Sequence, residues 1–288
     1  LIISQIGIVI DRNLASRVGE QAIAWMAAAT RLREFPLGLV STAVSMAVLP
    51  ALSRLDLISG RGEFKSTLGL GLRLVLVLII PATVALFVLG GPIISLIFQH
   101  GEFTPFDTTQ VARALTCYLL GTPFAAVDLL LIFAFYSQKD TVTPVIVGII
   151  CVFVYLAAAP TLAFLLDLGM IGLVLANSMQ LTSHALIMLA LLRRRAGSLE
   201  CQRIPAAIGR IALSSALMGI AVYLCLAGLR AVLPGEGLGT RVLLVVGAGS
   251  VGLLVYGFSV TRLGVSEAAM LRDMVLRRER RPGMAEDA

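Results

Sequence analysis

Long apolar runs separated by short polar segments fill the chain from its first residue to about residue 261. A helix that crosses the hydrocarbon core of a membrane needs roughly 20 predominantly apolar residues. On this criterion the pattern predicts eight membrane-spanning helices. Their predicted positions are residues 1–10 with the continuation of that run, 35–52, 74–98, 114–138, 141–166, 168–192, 211–229 and 242–261.

The composition indicates the same class of protein. Hydrophobic residues make up 58% of the 288 residues, charged residues make up 14%, and the mean hydropathy is +0.94, whereas a soluble domain carries about 25% charged residues. The sequence therefore predicts an all-α polytopic membrane protein. The four cysteines are widely spaced and form no C-x-x-C pair. We interpret them as small apolar residues, and we predict neither a metal site nor a cofactor.

Polar segments divide the chain into four predicted parts. These are a six-helix lobe at residues 1–192, a basic linker at 193–210, a two-helix unit at 211–262 and a basic tail at 263–288. The chain opens on Leu1, inside an apolar run, without an initiator methionine or the basic segment of a signal peptide. We therefore expect it to be the later part of a longer protein.

Lysine and arginine are unevenly distributed between the two sides of the predicted membrane. If the first helix starts inside, 16 of the 23 Lys and Arg residues fall on the cytoplasmic side. An excess of basic residues in short loops marks that side, so we predict a cytoplasmic C-terminus. This asymmetry accounts for the net charge of +6, and nucleic-acid binding is not needed to explain it.

Three charged residues stand beside the second predicted span. Arg31, Arg33 and Glu34 precede the apolar run that begins at Phe35, and Pro36 lies just inside it. Residues three positions apart share a helical face, so Arg31 and Glu34 can pair. Proline removes an amide donor and bends a helix. We interpret the stretch as a charged, kinked helix entrance that faces water or protein, because lipid does not tolerate it.

An arginine at such an entrance suits a phosphate ligand. The planar guanidinium binds phosphate through two parallel hydrogen bonds and stays charged in a low dielectric. Arg31, Glu34 and Arg33 are therefore candidate substrate-binding residues, with Glu34 holding Arg31 in place or relaying a proton. The alternative is that Arg31 and Arg33 mark the membrane interface by extending their charged ends to water. Arg33 favours this alternative because it is out of register with Glu34.

Two carboxylates and a histidine are further ionisable groups within predicted spans. Such groups are rare in membranes and are candidates for function. Asp11 is adjacent to Arg12, which leaves a local ion pair and a cation site as alternatives. Asp128 has no charged residue within a helical turn, and we expect a hydrogen-bonded carboxyl there. Asp11 and Asp128 are thus candidates for ion or proton coupling, whereas we expect His184 to be satisfied by hydrogen bonds.

A glycine motif lies in the last predicted span, where Gly247, Gly249 and Gly252 spell G-x-G-x-x-G. A dinucleotide site needs that motif between a strand and a helix of a βαβ unit. Inside a spanning helix, small residues instead permit close packing of helices or lipid. We therefore exclude a dinucleotide site.

Four short motifs follow one another along the chain. They are an arginine, acid and proline stretch, "ATRLREFPLGL", and the L-P-x-L-S turn that follows it, "VLPALSRL". They continue with a predicted outer G-x-F-T-x-x-D-T loop, "IFQHGEFTPFDT", and a predicted inner F-Y-x-x-x-D-x-x-T-P loop, "AFYSQKDTVTP". In type and order these motifs resemble those of the MurJ/MviN lipid II flippases of the multidrug/oligosaccharidyl-lipid/polysaccharide exporter superfamily.

The resemblance implies a fourteen-helix protein in which two six-helix lobes surround a cavity and two extra helices line a groove for a polyprenyl tail. This chain is similar to the second lobe plus those two helices. Arg31 and Glu34 fall on the family's cavity arginine and nearby acid, which implies contact with the lipid diphosphate. Because the last two helices are rich in small residues, we predict that Gly247 and Gly252 line the lipid-tail groove.

The implied function is translocation of the peptidoglycan precursor lipid II across the bacterial cytoplasmic (inner) membrane by alternating access. The implied partners are a polyprenyl-diphosphate-linked saccharide, membrane lipids and the missing N-terminal lobe of the same protein. Two positions depart from the family pattern, since Thr30 replaces a frequent aspartate and Leu129 a basic residue.

Other functions fit the same sequence. Within transport, the alternatives are an O-antigen or exopolysaccharide lipid flippase and an ion-coupled exporter. From another class, a non-transporting membrane scaffold could recruit partners through the basic tail. The chain has no Ser, His and Asp arrangement and no acidic loop for magnesium and diphosphate, so we do not expect an enzyme.

Overall fold

The computed structural model describes residues 2–55, 60–197, 204–233, 235 and 237–264. Within these ranges the regular structure is helical, without strands, which confirms the all-α prediction. The helices are α1 Ile2–Val18, α2 Glu20–Ala47, α3 Leu49–Leu52, α4 Arg61–Phe98, α5 Pro105–Ser137, α6 Val142–Pro160, α7 Met170–Ala196, α8 Ile204–Val232 and α9 Leu238–Arg262. A π-helical turn at Thr161–Leu165 continues α6.

Six helices in the described ranges are long and apolar enough to cross a membrane. They are α4, α5, α6 with its π-helical turn, α7, α8 and α9. α1 and α2 correspond to the first two predicted spans, but each contains charged residues that reduce its apolar character. The chain is therefore a polytopic, all-α membrane protein.

Reciprocal hydrogen bonds fix the N-terminal end of α5. Thr104 accepts from the amide of Asp107, and the Asp107 carboxylate accepts from the amide and hydroxyl of Thr104. Pro105 occupies a first-turn position, where its missing amide costs no intrahelical bond. The other carboxylate oxygen of Asp107 accepts from Trp25 Nε1 at 2.9 Å. One side chain thus caps α5 and ties it to α2.

Two apolar clusters fill the lobe, one towards each end. The first joins α2, α4, α5 and α7 through fully buried side chains such as Phe64, Leu130 and Phe135. The second joins α1, α2, α5, α6 and α7 around Leu119 and Leu173. Lipid tails are as apolar as these side chains, so association within a membrane depends on close packing rather than on removal from water.

α5 and α7 cross at a contact between a glycine and a serine. A Cβ atom on Gly121 would lie 2.9 Å from the Cα atom of Ser178, closer than real Cβ atoms approach. Ser178 also donates through Oγ to the carbonyl of Cys117 at 2.8 Å. This crossing sets the register in which Asp128 on α5 faces His184 on α7.

The last two helices pack against each other and against α4. Arg241 donates to the carbonyls of Ser95 and Gln99 at 3.0 and 3.1 Å. Tyr256 donates to the carbonyl of Val77 at 2.7 Å. α9 is therefore hydrogen-bonded to α4 at two places: at the C-terminal end of α4 through Arg241 and near its middle through Tyr256.

The predicted four-part division remains a prediction. The linker at 193–210 includes residues 198–203, which lie outside the described residues, and nearly all of the tail at 263–288 lies outside them too. The contacts with α4 show that the two-helix unit at 211–262 packs on the preceding helices.

Gly247 and Gly252 face α8. A Cβ atom on Gly252 would lie 2.6 Å from Val222 Cγ2, and one on Gly247 would lie 3.4 Å from Leu229 Cδ1. Gly252 therefore allows a close approach of α8 and α9, as expected for a small residue in a span, whereas a Cβ atom on Gly247 would be at ordinary contact distance. A lipid-tail groove at these glycines remains a prediction, and their contacts are with a helix.

We expect Gly252→Leu to destabilise the α8–α9 contact, because the added side chain overlaps Val222 and overpacking costs about 1–3 kcal/mol. Gly257→Leu is the matched control, since a Cβ atom there has nothing within 4 Å. Thermal unfolding of the purified protein in detergent measures the difference. Equal melting temperatures for the two variants would contradict the contact.

Candidate functional site

The charged residues of α2 lie inside the helix and not at its entrance. α2 begins at Glu20, so Arg31 lies eleven positions further along, or about 16 Å along the axis. Pro36 lies within the helix without ending it. The predicted charged entrance beside Phe35 is therefore wrong. The alanine-rich stretch before Arg31 is already helical, and hydropathy alone does not report where a helix begins.

Arg31 and Glu34 belong to an exposed face of α2. On one side of α2, exposed residues at helical spacing include small and polar side chains, which we call the α2 stripe: Ala27, Arg31, Glu34, Gly38 and Thr42. The large apolar side chains of Phe35 and Leu39 are exposed beside it. Charged side chains are not tolerated against hydrocarbon. The α2 stripe therefore requires water or another part of a protein in front of it.

The predicted ion pair between Arg31 and Glu34 is not formed. Between residues that the structure describes, ion pairs join His184 to Asp128 and Arg195 to Asp140. At an exposed site a pair spaced three residues apart gains only a few tenths of a kcal/mol, about 0.2–0.5, so its absence costs little. Among the described residues, the Arg31 guanidinium therefore has no ion-pair partner.

Arg33 points into the lobe, away from the α2 stripe. Its Nη1 donates to Asn177 Oδ1 on α7 at 3.0 Å, and its guanidinium carbon lies 4.8 Å from the ring centroid of Tyr118 on α5. Its Nε is buried and has no hydrogen-bond partner among the described residues. Arg33 thus does not mark the membrane interface, and its contacts are those of a residue that joins α2, α5 and α7.

Asp11 joins the same region. Tyr155 on α6 donates to Asp11 Oδ1, and Arg12 and Arg33 lie within electrostatic range of the carboxylate. The expected local ion pair with Arg12 is not formed within the described residues. A hydrogen bond across helices replaces it because Tyr155 is already packed in the core. We refer to Asp11, Arg33, Tyr118, Tyr155 and Asn177 as the lobe polar cluster.

Asp128 and His184 form a second buried contact. His184 Nδ1 lies 2.7 Å from Asp128 Oδ1, and the two side chains are 13% and 11% exposed. Each residue therefore has the hydrogen-bonded surroundings expected from the sequence. The sequence does not indicate that the two residues are partners.

The loop between α5 and α6 contains a third polar arrangement. Asp140 accepts hydrogen bonds from the amide and hydroxyl of Thr143 at 2.9 and 2.7 Å. Arg195, at the end of α7, donates to Asp140 and to Thr143 Oγ1, and its guanidinium lies 5.2 Å from the ring centroid of Phe135. The loop motif thus joins α5, α6 and α7. The Thr143 hydrogen bonds, with a smaller contribution from Arg195, lower the pKa of Asp140 to about 2.

This lowered pKa predicts a dependence of stability on pH. Because the folded state holds the carboxylate ionised, Asp140 stabilises the protein above about pH 4, and this contribution is lost as the pH falls towards about 2. The contribution is small, below about 1 kcal/mol, because solvent screens the charges of a surface loop. We expect the melting temperature of the wild type to fall more over this range than that of Asp140→Asn. Parallel pH profiles would contradict the assignment.

The lobe polar cluster includes residues that sequence reasoning missed, namely Tyr118, Tyr155 and Asn177. No local pattern marks them, because each contacts a residue far away in the chain. The described residues contain no group of three or more His, Cys, Asp or Glu side chains that could hold a metal ion.

Fold and site together define the class of protein: a polytopic helical membrane protein with an exposed charged stripe and buried polar clusters in its bundle. The family model for "Lipid II flippase MurJ" matches residues 1–234. The chain therefore belongs to the lipid II flippase MurJ family, which confirms the resemblance of its motifs.

Individual relatives agree with the family assignment. A probable lipid II flippase MurJ of Vibrio cholerae is 36% identical over 192 residues, covering 67% of this chain and 35% of that protein. One of Rhizobium meliloti is 30% identical over 276 residues, covering 96% of this chain and 51% of that protein. A solved structure of lipid II flippase MurJ in an inward closed conformation matches with a TM-score of 0.73 at 26% identity, covering 95% of this chain and 52% of that chain. The chain thus spans about half of these relatives' length, or less.

Proposed function

We propose that this chain forms the C-terminal lobe and the two following helices of a flippase that translocates lipid II across the bacterial inner membrane. The observation that carries the proposal is the α2 stripe. It places Arg31 and Glu34 in the middle of a helix, on the side that faces away from the rest of the lobe. That side is where a cavity between two lobes would lie.

Arg31 is the residue best suited to the lipid diphosphate. Its guanidinium has no hydrogen bond or ion pair with a described residue, and its planar fork matches two phosphate oxygens. Glu34 lies three positions away and would keep the cavity from holding an excess of positive charge once the lipid leaves. Arg33 contributes indirectly, because its contacts with α5 and α7 fix the rotation of α2.

The N-terminal lobe of the same protein is the partner that would cover the α2 stripe. The similarity to longer lipid II flippases, of which this chain spans about half or less, supports this partner. Alternating access between two lobes would then expose the charged cavity to each side in turn. We propose transport without a catalytic step, so the protein would not be an enzyme.

Energy coupling is assigned to the half-buried carboxylate of Asp11 and the buried carboxylate of Asp128. Asp11 accepts a hydrogen bond from Tyr155 and is close to Arg33, so its charge is already partly balanced within the lobe. Asp128 has a titratable partner in His184. Of the two, Asp128 is therefore better placed to exchange a proton.

Flipping in cells tests the proposed function. Cells depleted of their own flippase should recover growth when the full-length protein that contains this chain is expressed. Lipid II should then become accessible to an impermeant lipid II-cleaving enzyme added outside. Recovery of another lipid-linked saccharide, with lipid II still inaccessible, would favour the O-antigen or exopolysaccharide alternative. Accumulation of neither lipid outside would favour an exporter or a scaffold.

We expect Gly62 to be cytoplasmic and Glu102 to be outside, in keeping with a cytoplasmic C-terminus. Both residues are exposed, and a Cβ atom on Gly62 has nothing within 4 Å, so single cysteines are tolerated. In a background without native cysteines, an impermeant thiol reagent should label Glu102→Cys in intact cells. It should label Gly62→Cys only after the membrane is opened. The reverse pattern would overturn the orientation.

A further inference from the structure

The contact between Asp128 and His184 lies deep within the bundle. Asp128 is buried and lies nine positions before the end of α5 at Ser137, or about 14 Å along the axis. His184 Nδ1 is 2.7 Å from Asp128 Oδ1. Two ionisable side chains are thus in direct contact within a segment that crosses the membrane.

α6 forms a third wall beside the imidazole. A Cβ atom on Gly148 would lie 3.9 Å from His184 Nε2, so the ring lies against the backbone of this helix. The ring also has a polar contact with the backbone of Pro144. Proline has no amide hydrogen, so this contact involves its carbonyl oxygen, which only accepts. The imidazole therefore lies between the Asp128 carboxylate and a carbonyl acceptor of α6.

Counting protons between these atoms defines the state of the pair. A 2.7 Å contact between nitrogen and oxygen requires one proton between Nδ1 and the carboxylate. A hydrogen bond from the ring to the α6 carbonyl needs a second proton, on Nε2. With both protons bound the pair is neutral overall, whether the shared proton belongs to the ring or to the carboxyl group. When one proton leaves for water, either the contact to α5 or the contact to α6 loses its hydrogen.

The surroundings contain few competing titratable groups. α5 between residues 121 and 135 and α7 between residues 177 and 191 contain no other ionisable side chain, and neither do residues 35–47 of α2 or 74–98 of α4. α4 contributes Arg73, two positions after Gly71, which packs against Leu130 of α5. α6 contributes Cys151, which lies within electrostatic range of Asp128, and one turn further Tyr155, which is bound to Asp11. Within these ranges, Asp128 and His184 are thus the two ionisable side chains in direct contact.

We propose that Asp128 and His184 form a proton-binding site between α5, α6 and α7, and that release of its proton loosens one of the two helix contacts made by His184. The site gives the lobe a place where proton binding changes helix packing. Its use to drive translocation rests on the flippase function proposed above, whereas its existence does not.

Histidine-selective ¹⁵N NMR tests the site directly, because the chain has only two histidines. His100 is exposed, and His100→Gln assigns the remaining signal to His184. In the otherwise unchanged protein we expect the ring-nitrogen signals of His184 to change with pH as the pair loses its proton, whichever of the two groups held it. The pH of this change should differ from that of His100. Ring-nitrogen signals of His184 that stay constant over the whole pH range in which the protein is folded would overturn the proposal without requiring any variant at the site.

Asp128→Asn provides a second test of whether Asp128 and His184 share a proton. It preserves the shape of the side chain and removes the carboxylate, so the His184 transition should move by about one pH unit or more. Asp11→Asn is the matched control, because it removes a carboxylate from the same lobe without touching His184, and it should leave the transition in place. An unchanged transition in Asp128→Asn would show that the two groups do not share a proton. This experiment measures the protonation of His184 and not lipid flipping, so its outcome is independent of the proposed flippase function.

Discussion

Arg31→Ala is expected to abolish lipid II translocation by the full-length protein while leaving the lobe folded. No described residue forms a hydrogen bond or an ion pair with Arg31, so its removal breaks no contact within the lobe. What is lost is the charge that would meet the diphosphate in the cavity. The measurement is accessibility of lipid II from outside, in cells that depend on the variant, at matched expression.

Arg31→Lys separates charge from geometry. Lysine keeps the positive charge but replaces a planar fork with a point charge, so we expect only part of the activity. Arg17→Ala is the control, since Arg17 is an exposed arginine at the end of α1 and lies outside the α2 stripe. Full activity of Arg31→Ala would rule out the diphosphate role.

The fold was predictable to a large extent because each spanning helix needs its own apolar run. The runs that became α4 to α9 contain few charges, and their hydropathy was sufficient to locate them. α2 was harder to locate. Alanine and tryptophan before Arg31 extend the helix to Glu20, and a search for apolar runs gives such a stretch little weight.

The direction of the two arginines followed from helix geometry once the bounds of α2 were known. Residues two positions apart point to nearly opposite sides of a helix. Arg31 and Arg33 therefore cannot share a face, and packing of α2 against α5 turns Arg33 inward and Arg31 outward. The sequence alone indicated that they differ, but not which one would be buried.

The hydrogen-bond partners of Asp11 and Asp128 could not be predicted from local sequence patterns. Tyr155 is 144 positions from Asp11, and His184 is 56 positions from Asp128. Such contacts depend on how α5, α6 and α7 cross, and that crossing depends on the close approach of Gly121 to Ser178. By contrast, the Asp107 cap is local to its loop motif, and a capping box can be read from sequence.

Arg33→Met should lower the stability of the lobe, in contrast to Arg31→Met. Methionine retains an unbranched apolar chain but leaves Asn177 Oδ1 without its donor and Tyr118 without its cation. A hydrogen bond to a charged group contributes about 1.5–3 kcal/mol, so we expect a loss of about 2 kcal/mol or more. Arg31→Met is the matched control and should stay within about 0.5 kcal/mol of the wild type, as exposed substitutions do.

Thermal unfolding of both variants in the same detergent decides between the two roles. If Arg33 acts by holding α2 against α7, Arg33→Met should melt several degrees lower, and adding Asn177→Ala should cost little more, because both substitutions remove the same contact. If Arg33 instead binds substrate, its substitution should affect flipping without affecting melting, as expected for Arg31. A normal melting temperature for Arg33→Met would therefore move Arg33 from the lobe polar cluster to the substrate cavity, since a buried arginine that supports no structure is retained for its ligand.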